Sequence, residues 1–205
     1  MKMMKNFVSG ILSGIMVSIG GAAFLMCENR IAGAVLFSVA LLSICFMGYS
    51  LYTGRIGFMT ENHGKEDWSN LMLGLLGNIL GTVICGLLMK YAIPALREAA
   101  NAVCTSKLAQ PWYGTLVRGF FCGVLMYIAV AVYRMHKSTL GILFCIPVFI
   151  LSGFEHSIAD VYYFFASDRI GMKTLLFILL VILGNSAGSL AVSWMTGCIR
   201  TSDNK

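Results

Sequence analysis

Ser152-Gly153-Phe154-Glu155-His156-Ser157-Ile158-Ala159-Asp160 places three ionisable side chains, Glu155, His156 and Asp160, in the middle of an apolar run from about Thr139 to Ala166. The run is long enough to cross a bilayer, which takes roughly 20 residues of helix. Ionisable groups at membrane depth cost roughly 2.5 to 3.5 kcal/mol each on insertion scales, so they face a cavity or a pathway rather than lipid. The nonapeptide therefore marks a membrane span and the place to look for function.

The rest of the chain reads the same way. Hydrophobic residues make up 58% of the 205 and charged residues 12%, where a soluble domain has about a quarter charged; mean hydropathy is +0.81. Apolar runs long enough to span occur near Phe7–Met26, Ile31–Tyr49, Asn70–Tyr91, Trp112–Tyr133, Thr139–Ala166 and Thr174–Ile199. The expectation is an all-α polytopic membrane protein, a single transmembrane domain over 1–205 with six passages and no soluble domain. The first run follows Lys2 and Lys5 in the manner of a signal peptide. It is long for one, and Phe24-Leu25-Met26-Cys27 lacks the small residues of a cleavage site, so it reads as a retained span.

An even number of passages puts both termini on one side. With the termini inside, that side collects Lys2, Lys5, Arg55, Lys65, Arg134, Lys137, Arg200 and Lys205. The other collects Arg30, Lys90, Arg97, Lys107, Arg118, Arg169 and Lys173, a nearly even division by the positive-inside rule. The formal charge of +6 is scattered one or two residues per loop, which fits solvated loops and no nucleic-acid partner. The seven cysteines, Cys27, Cys45, Cys85, Cys104, Cys122, Cys145 and Cys198, are odd in number and show no C-x-x-C spacing. They read as small buried apolar residues, neither disulfides nor metal ligands.

Landmarks recur along the chain. Gly10-Ile11-Leu12-Ser13-Gly14-Ile15-Met16 matches Gly119-Phe120-Phe121-Cys122-Gly123-Val124-Leu125 at an offset of 109, and Gly77-Asn78-Ile79-Leu80-Gly81 matches Gly184-Asn185-Ser186-Ala187-Gly188 at an offset of 107. Three spans per half, about 1–100 and 108–205, make the second half enter the membrane in the opposite sense, a 3+3 inverted repeat of the kind used by transporters and channels. Small residues four apart also let helix backbones approach closely in lipid.

The middle span of each half is expected to be broken. Met47-Gly48-Tyr49-Ser50-Leu51-Tyr52-Thr53-Gly54 gathers glycine, serine and threonine in the second span, and Pro147 with Ser152-Gly153 interrupts the fifth. Backbone groups freed at membrane depth are tolerated only where buried in protein or lining a wet cavity. Two such breaks at equivalent places mark a central pathway, with half-helix N-termini turned toward an anion.

Phe154-Glu155-His156-Ser157-Ile158-Ala159, Leu51-Tyr52-Thr53 and the glycine–asparagine pairs of the third and sixth spans resemble the signatures of the formate/nitrite transporters. The resemblance covers nearly the whole chain. It implies a homopentamer of aquaporin-like protomers in the cell (inner) membrane, termini cytoplasmic, passing small monovalent anions as a channel or proton-coupled carrier, with no cofactor and no enzymatic activity. It further implies aromatic constrictions at Phe37 and Phe149 narrowed by Leu51, a hydrogen bond from Thr53 to the central His156, and an anion-attracting role for Lys107. Read from the residues alone, Lys107 is a loop lysine and the two phenylalanines are ordinary apolar side chains. His156, with a reference pKa near 6.5, exchanges protons under ordinary conditions.

Three positions depart from the family's pattern: Ser50 where an acidic residue is frequent, Gly123 in place of a fourth-span asparagine, and Asp160 in place of the asparagine that closes the fifth-span signature. Asp160 stands four residues beyond His156, on the same helical face, where it could pair with a protonated His156, stay neutral or repel anions. The expected function is passage of a weak-acid anion such as formate, nitrite, hydrosulfide or acetate, protonated in the vestibule by bulk water or by His156 and crossing the neck as the neutral acid. A neutral-solute channel of aquaporin or urea-channel type is the alternative, set back by the absence of any Asn-Pro. A membrane metalloenzyme is disfavoured because His63 and His136 fall in loops far from His156.

Overall fold

The structure is a computed structural model that describes residues 2–60 and 63–202. Lys205 of the basic residues named above lies outside the described residues, as do the side chains of Lys2 and Arg200. The regular structure is helical throughout, with no strand among the described residues: α1 (Lys2–Met26), α2 (Arg30–Met47), α3 (Tyr52–Arg55) continued by a 3-10 turn (Ile56–Thr60), α4 (Lys65–Ala92), α5 (Pro94–Leu108), α6 (Trp112–His136), α7 (Leu140–Leu151), α8 (Ser157–Ala166) and α9 (Met172–Ser202).

Five of these, Met4–Met26, Arg30–Met47, Lys65–Ala92, Trp112–His136 and Met172–Ile199, are long and apolar enough to cross a membrane. Large apolar side chains such as Leu36, Phe46, Leu76, Leu88, Phe121 and Leu183 are exposed on their outer faces, the reverse of a soluble surface and the condition expected of lipid-facing helices. The chain is a multi-pass membrane protein. The apolar run from Thr139 to Ala166 becomes two helices, α7 with 12 residues and α8 with 10, separated by Ser152–His156. Neither reaches across a bilayer alone.

The long helices pack in pairs, α1 on α4 and α6 on α9, while α2 lies against α7 and α8 against α4. The glycine motifs make the first two pairings possible. A Cβ on Gly14 would stand 2.5 Å from the carbonyl oxygen of Asn78, and one on Gly123 would collide with the carbonyl of Asn185. Backbone-to-backbone approach of this kind drives helix association where lipid removes the hydrophobic effect.

Both expected breaks are present, and each turns on a glycine with positive φ. Gly48 (φ 68°) ends α2, whose other end is capped by Asn29 Oδ1 accepting from the N–H groups of Ile31 and Ala32; Gly153 (φ 70°) follows α7. Pro147 sits inside α7.

One expectation is corrected. The polar stretch after the third span, read as a loop around Lys107, is the 15-residue helix α5. Pro94 opens it at the position where proline's missing N–H costs nothing. Ala95, Ala99, Ala100 and Ala102 favour its continuation. Leu96, Ala100 and Cys104 bury its inner face against α8 and α1, which carries Lys107 into the interior instead of into solvent.

Candidate functional site

The two breaks leave backbone groups without helical partners, and one buried asparagine serves each. At the first, Asn78 Oδ1 accepts from Tyr52 N (2.9 Å), while Asn78 Nδ2 donates to Ser50 O (2.8 Å) and Gly10 O (2.9 Å). At the second, Asn185 Oδ1 accepts from Ser157 N (2.9 Å), while its Nδ2 donates to Glu155 O (2.8 Å) and Gly119 O (2.9 Å). Both asparagines are fully buried. A carboxamide has the donors and acceptor to satisfy both sides of a break at once, and an unpaired backbone group in this setting would cost several kcal/mol. The sequence presented these asparagines only as companions of the glycine motifs.

The breaks bring Thr53 and His156 together. Thr53 Oγ1 lies 2.8 Å from His156 Nε2, and His156 Nδ1 accepts the Ala159 N–H at 3.2 Å, capping α8. With Nδ1 an acceptor, these partners assign the hydrogen to Nε2, which donates to Thr53. Phe149 stacks on the imidazole (centroids 5.8 Å, 24°), and Phe37 meets Phe149 edge-on (6.0 Å, 88°).

Three cavities lie in a row through this point. The first, about 430 Å³, includes Arg30, Lys107, Arg118, Phe149, Glu155, His156 and Asp160 in its walls. The second is a void of about 10 Å³ walled by Phe37, Leu41, Ile44, Leu51, Phe149 and His156, among others. The third, about 250 Å³, is reached past Leu41, Ile44 and Leu51 and is edged by Arg55 and Arg134. Phe149 and His156 are shared by the first and second, and Leu41, Ile44 and Leu51 by the second and third. The central void has about the room of one water molecule. Passage of anything larger requires Phe37, Phe149 or Leu51 to move.

Lys107 stands in the wall of the first cavity with its charge already shared. Its ammonium is ion-paired with Glu155 Oε2 and, at 2.8 Å, with Asp160 Oδ1. Gln110 Nε2 donates to the other Glu155 oxygen at 2.8 Å. Asp160 Oδ2 has no hydrogen-bond partner among the described residues. Asp160 thus meets Lys107, not His156. Arg118, which donates to Gly153 O at 3.4 Å, and Arg30 add positive charge at the same cavity. On the far side Arg55 donates to Ser50 Oγ at 2.8 Å, and the Arg134 guanidinium lies 4.0 Å from the Phe58 ring centre. Sequence reasoning passed over these four arginines as scattered loop charges. For Arg118 a signal existed, since it interrupts the apolar run Trp112–Tyr133 one residue before a repeat glycine.

A profile of the Formate/nitrite transporter family matches residues 1–197. The chain belongs to the formate/nitrite transporter family. It is 27% identical over 175 residues to the nitrite transporter NirC of Salmonella typhimurium, covering 75% of this chain and 65% of that relative, so the match spans about two thirds of the NirC length. It is 27% identical over 223 residues to the uncharacterized transporter YwcJ of Bacillus subtilis, covering 93% of this chain and 87% of YwcJ. Among solved structures, a pentameric formate channel with formate bound superposes with a TM-score of 0.84 at 19% identity, covering 97% of both chains. These relatives are transporters and a channel, not enzymes.

Each departure from the formate/nitrite transporter pattern has a geometric counterpart. Gly123 packs so tightly on the Asn185 carbonyl that no side chain fits between α6 and α9 as they stand. Ser50 accepts from Arg55 where an acidic residue would form an ion pair. Asp160 adds a second carboxylate to the surroundings of Lys107.

Proposed function

We propose that this chain passes small monovalent weak-acid anions, of the class of formate, nitrite and hydrosulfide, across the cell (inner) membrane, and that they cross the neck as neutral acids accompanied by a proton. The observation that carries this reading is the apolar neck of Phe37, Leu51 and Phe149 between two cavities walled in part by arginine, with the Thr53–His156 pair beside it.

The physical reason is desolvation. Taking a carboxylate-sized ion into a low-dielectric constriction has an idealised cost of order 20 kcal/mol, reduced to several after relaxation. A neutral acid avoids most of it. Arg30 and Arg118, with Lys107 behind them, raise the local anion concentration. Protonation in the vestibule removes the charge before the neck. The names of NirC and of the formate channel supply the candidate substrates. In the same reading the protein is one domain over 1–205, built as six passages in a 3+3 inverted repeat on the aquaporin-like plan with α7 and α8 as the broken fifth, and it assembles as a homopentamer. The paired asparagine bonds of Asn78 and Asn185 support the repeat. The termini lie in the cytoplasm.

Stopped-flow uptake into proteoliposomes, with formate, nitrite, hydrosulfide, acetate and lactate compared across pH, tests the scheme. Uptake should rise as external pH falls, and strong-acid anions of similar size, which stay ionised, should not be taken up. Osmotic swelling with water or urea but no response to formate or nitrite would favour a neutral-solute channel.

A further inference from the structure

We propose that Asp160 is the acid that hands the proton to the entering anion. The inference rests on the weak-acid reading above and names the proton source within it.

The argument is one of oxygen valences. Glu155 has a donor on each oxygen, Lys107 on Oε2 and Gln110 on Oε1, the arrangement of an ionised, acceptor-only carboxylate. Asp160 is ion-paired with Lys107 through Oδ1 and has the Glu155 carboxylate as a neighbour, while Oδ2 has no hydrogen-bond partner among the described residues, although the residue is only 1% exposed. Lys107 is the one cation that touches both carboxylates, so with both ionised this buried cluster would carry a net negative charge, with Arg30 and Arg118 standing elsewhere in the wall of the same cavity. A proton on Asp160 Oδ2 removes that charge and gives the open oxygen its hydrogen. The other titratable and charged groups facing this carboxyl are Lys107 and Cys104 from α5, Cys122 from α6, Glu155 and His156 from the break, and Tyr163 from α8. His156 is not placed to do this work, because its Nδ1 is held by the Ala159 N–H and its Nε2 by Thr53.

In the transfer, the Asp160 O–H bond breaks and a bond to the same proton forms on the anion, O–H on formate or nitrite and S–H on hydrosulfide, giving the neutral acid and an Asp160 carboxylate. The neutral acid enters the neck past Phe149. The carboxylate, now leaving the cluster negative, repels a second anion until a proton from vestibule water restores it. One proton moves per anion.

Infrared difference spectroscopy on the reconstituted protein, with and without formate or nitrite, tests this directly. The wild type should show a carboxylic-acid C=O band at neutral pH that weakens on anion addition, lost in Asp160→Asn and retained in Glu155→Gln. Asp160→Asn should also lower proteoliposome uptake on the order of tenfold at neutral pH, consistent with loss of a positioned acid, and leave a residual rate that follows the free neutral acid in solution. A wild type without the band, a band that persists in Asp160→Asn, or a folded Asp160→Asn protein with an unaltered rate and pH profile would overturn the assignment. Failure of the wild type to take up any weak-acid anion would instead overturn the proposed function, so the two failures are separate.

Discussion

A buried asparagine is costly in an apolar interior unless every polar atom is used, and Asn78 and Asn185 use all of theirs on the broken backbones beside them. Replacing Asn185 by Leu would strand Ser157 N–H and Glu155 C=O at membrane depth. The expected loss is about 3 kcal/mol, read as a lowered midpoint in thermal or denaturant unfolding in detergent, and Asn78→Leu should behave alike. Thr53 presents a different case, because among the described residues its hydroxyl meets His156 alone. Thr53→Val keeps the shape and leaves Nε2–H without its acceptor in the neck. Its stability should fall by about 1 kcal/mol, while uptake of formate or nitrite by proteoliposomes falls well beyond what that small change in folded fraction would produce.

At the scale of elements, the breaks and the close helix pairs depend on residues without side chains. Gly153 has φ 70° and open space around its Cβ position apart from the tip of Arg118, so Gly153→Ala should cost about 1 kcal/mol through backbone conformation alone. Gly123→Asn introduces the residue type that the formate/nitrite transporters place there, but in this chain it must push α6 away from the Asn185 carbonyl. Since Asn185 also holds the second break, displacement of that helix should disturb α8 as well. The expected result is a loss larger than that of Gly153→Ala, with faster amide hydrogen exchange in both α6 and the start of α8. The two glycines thus separate a local conformational requirement from a packing requirement.

For the whole molecule, one ionic junction ties α4 and α5 to the loop between α8 and α9. Asp168 accepts from Arg97 (2.8 Å) and Asn101 (2.9 Å) and is ion-paired with Lys90 (2.9 Å). The Arg97 hydrogen bond, followed by those of Asn101 and Lys90, holds the Asp168 carboxyl well below the usual carboxylate range. A carboxyl depressed in the folded state stabilises above its unfolded pKa of about 3.9, and that contribution is lost as pH falls toward the folded value. Because the junction is exposed, its effect is small and screened by salt. Wild-type stability should therefore drop more steeply than that of Asp168→Asn as pH is lowered below about 4, and the difference should shrink in high salt. Thermal unfolding of both proteins across that range measures it.

Hydropathy alone determined that this chain lives in a membrane, because continuous apolar runs of spanning length have no other stable setting. The breaks at Gly48 and Gly153 were also legible, since glycine, proline and hydroxyl residues inside such runs have few other uses. The prominence of Glu155, His156 and Asp160 followed from the same rule, as charge at depth needs a reason. Only the tertiary structure decided what those groups meet. Lys107 reads as a loop residue until α5 folds under α8, and Arg118 and Arg30 reach one cavity from helices far apart in sequence. Which carboxylate is saturated and which is open depends on donors brought from α5, Lys107 and Gln110 at and just beyond its end, to a turn some 45 residues away. Local pattern reports periodicity and composition, whereas the pairing of buried charges is set by packing between distant segments.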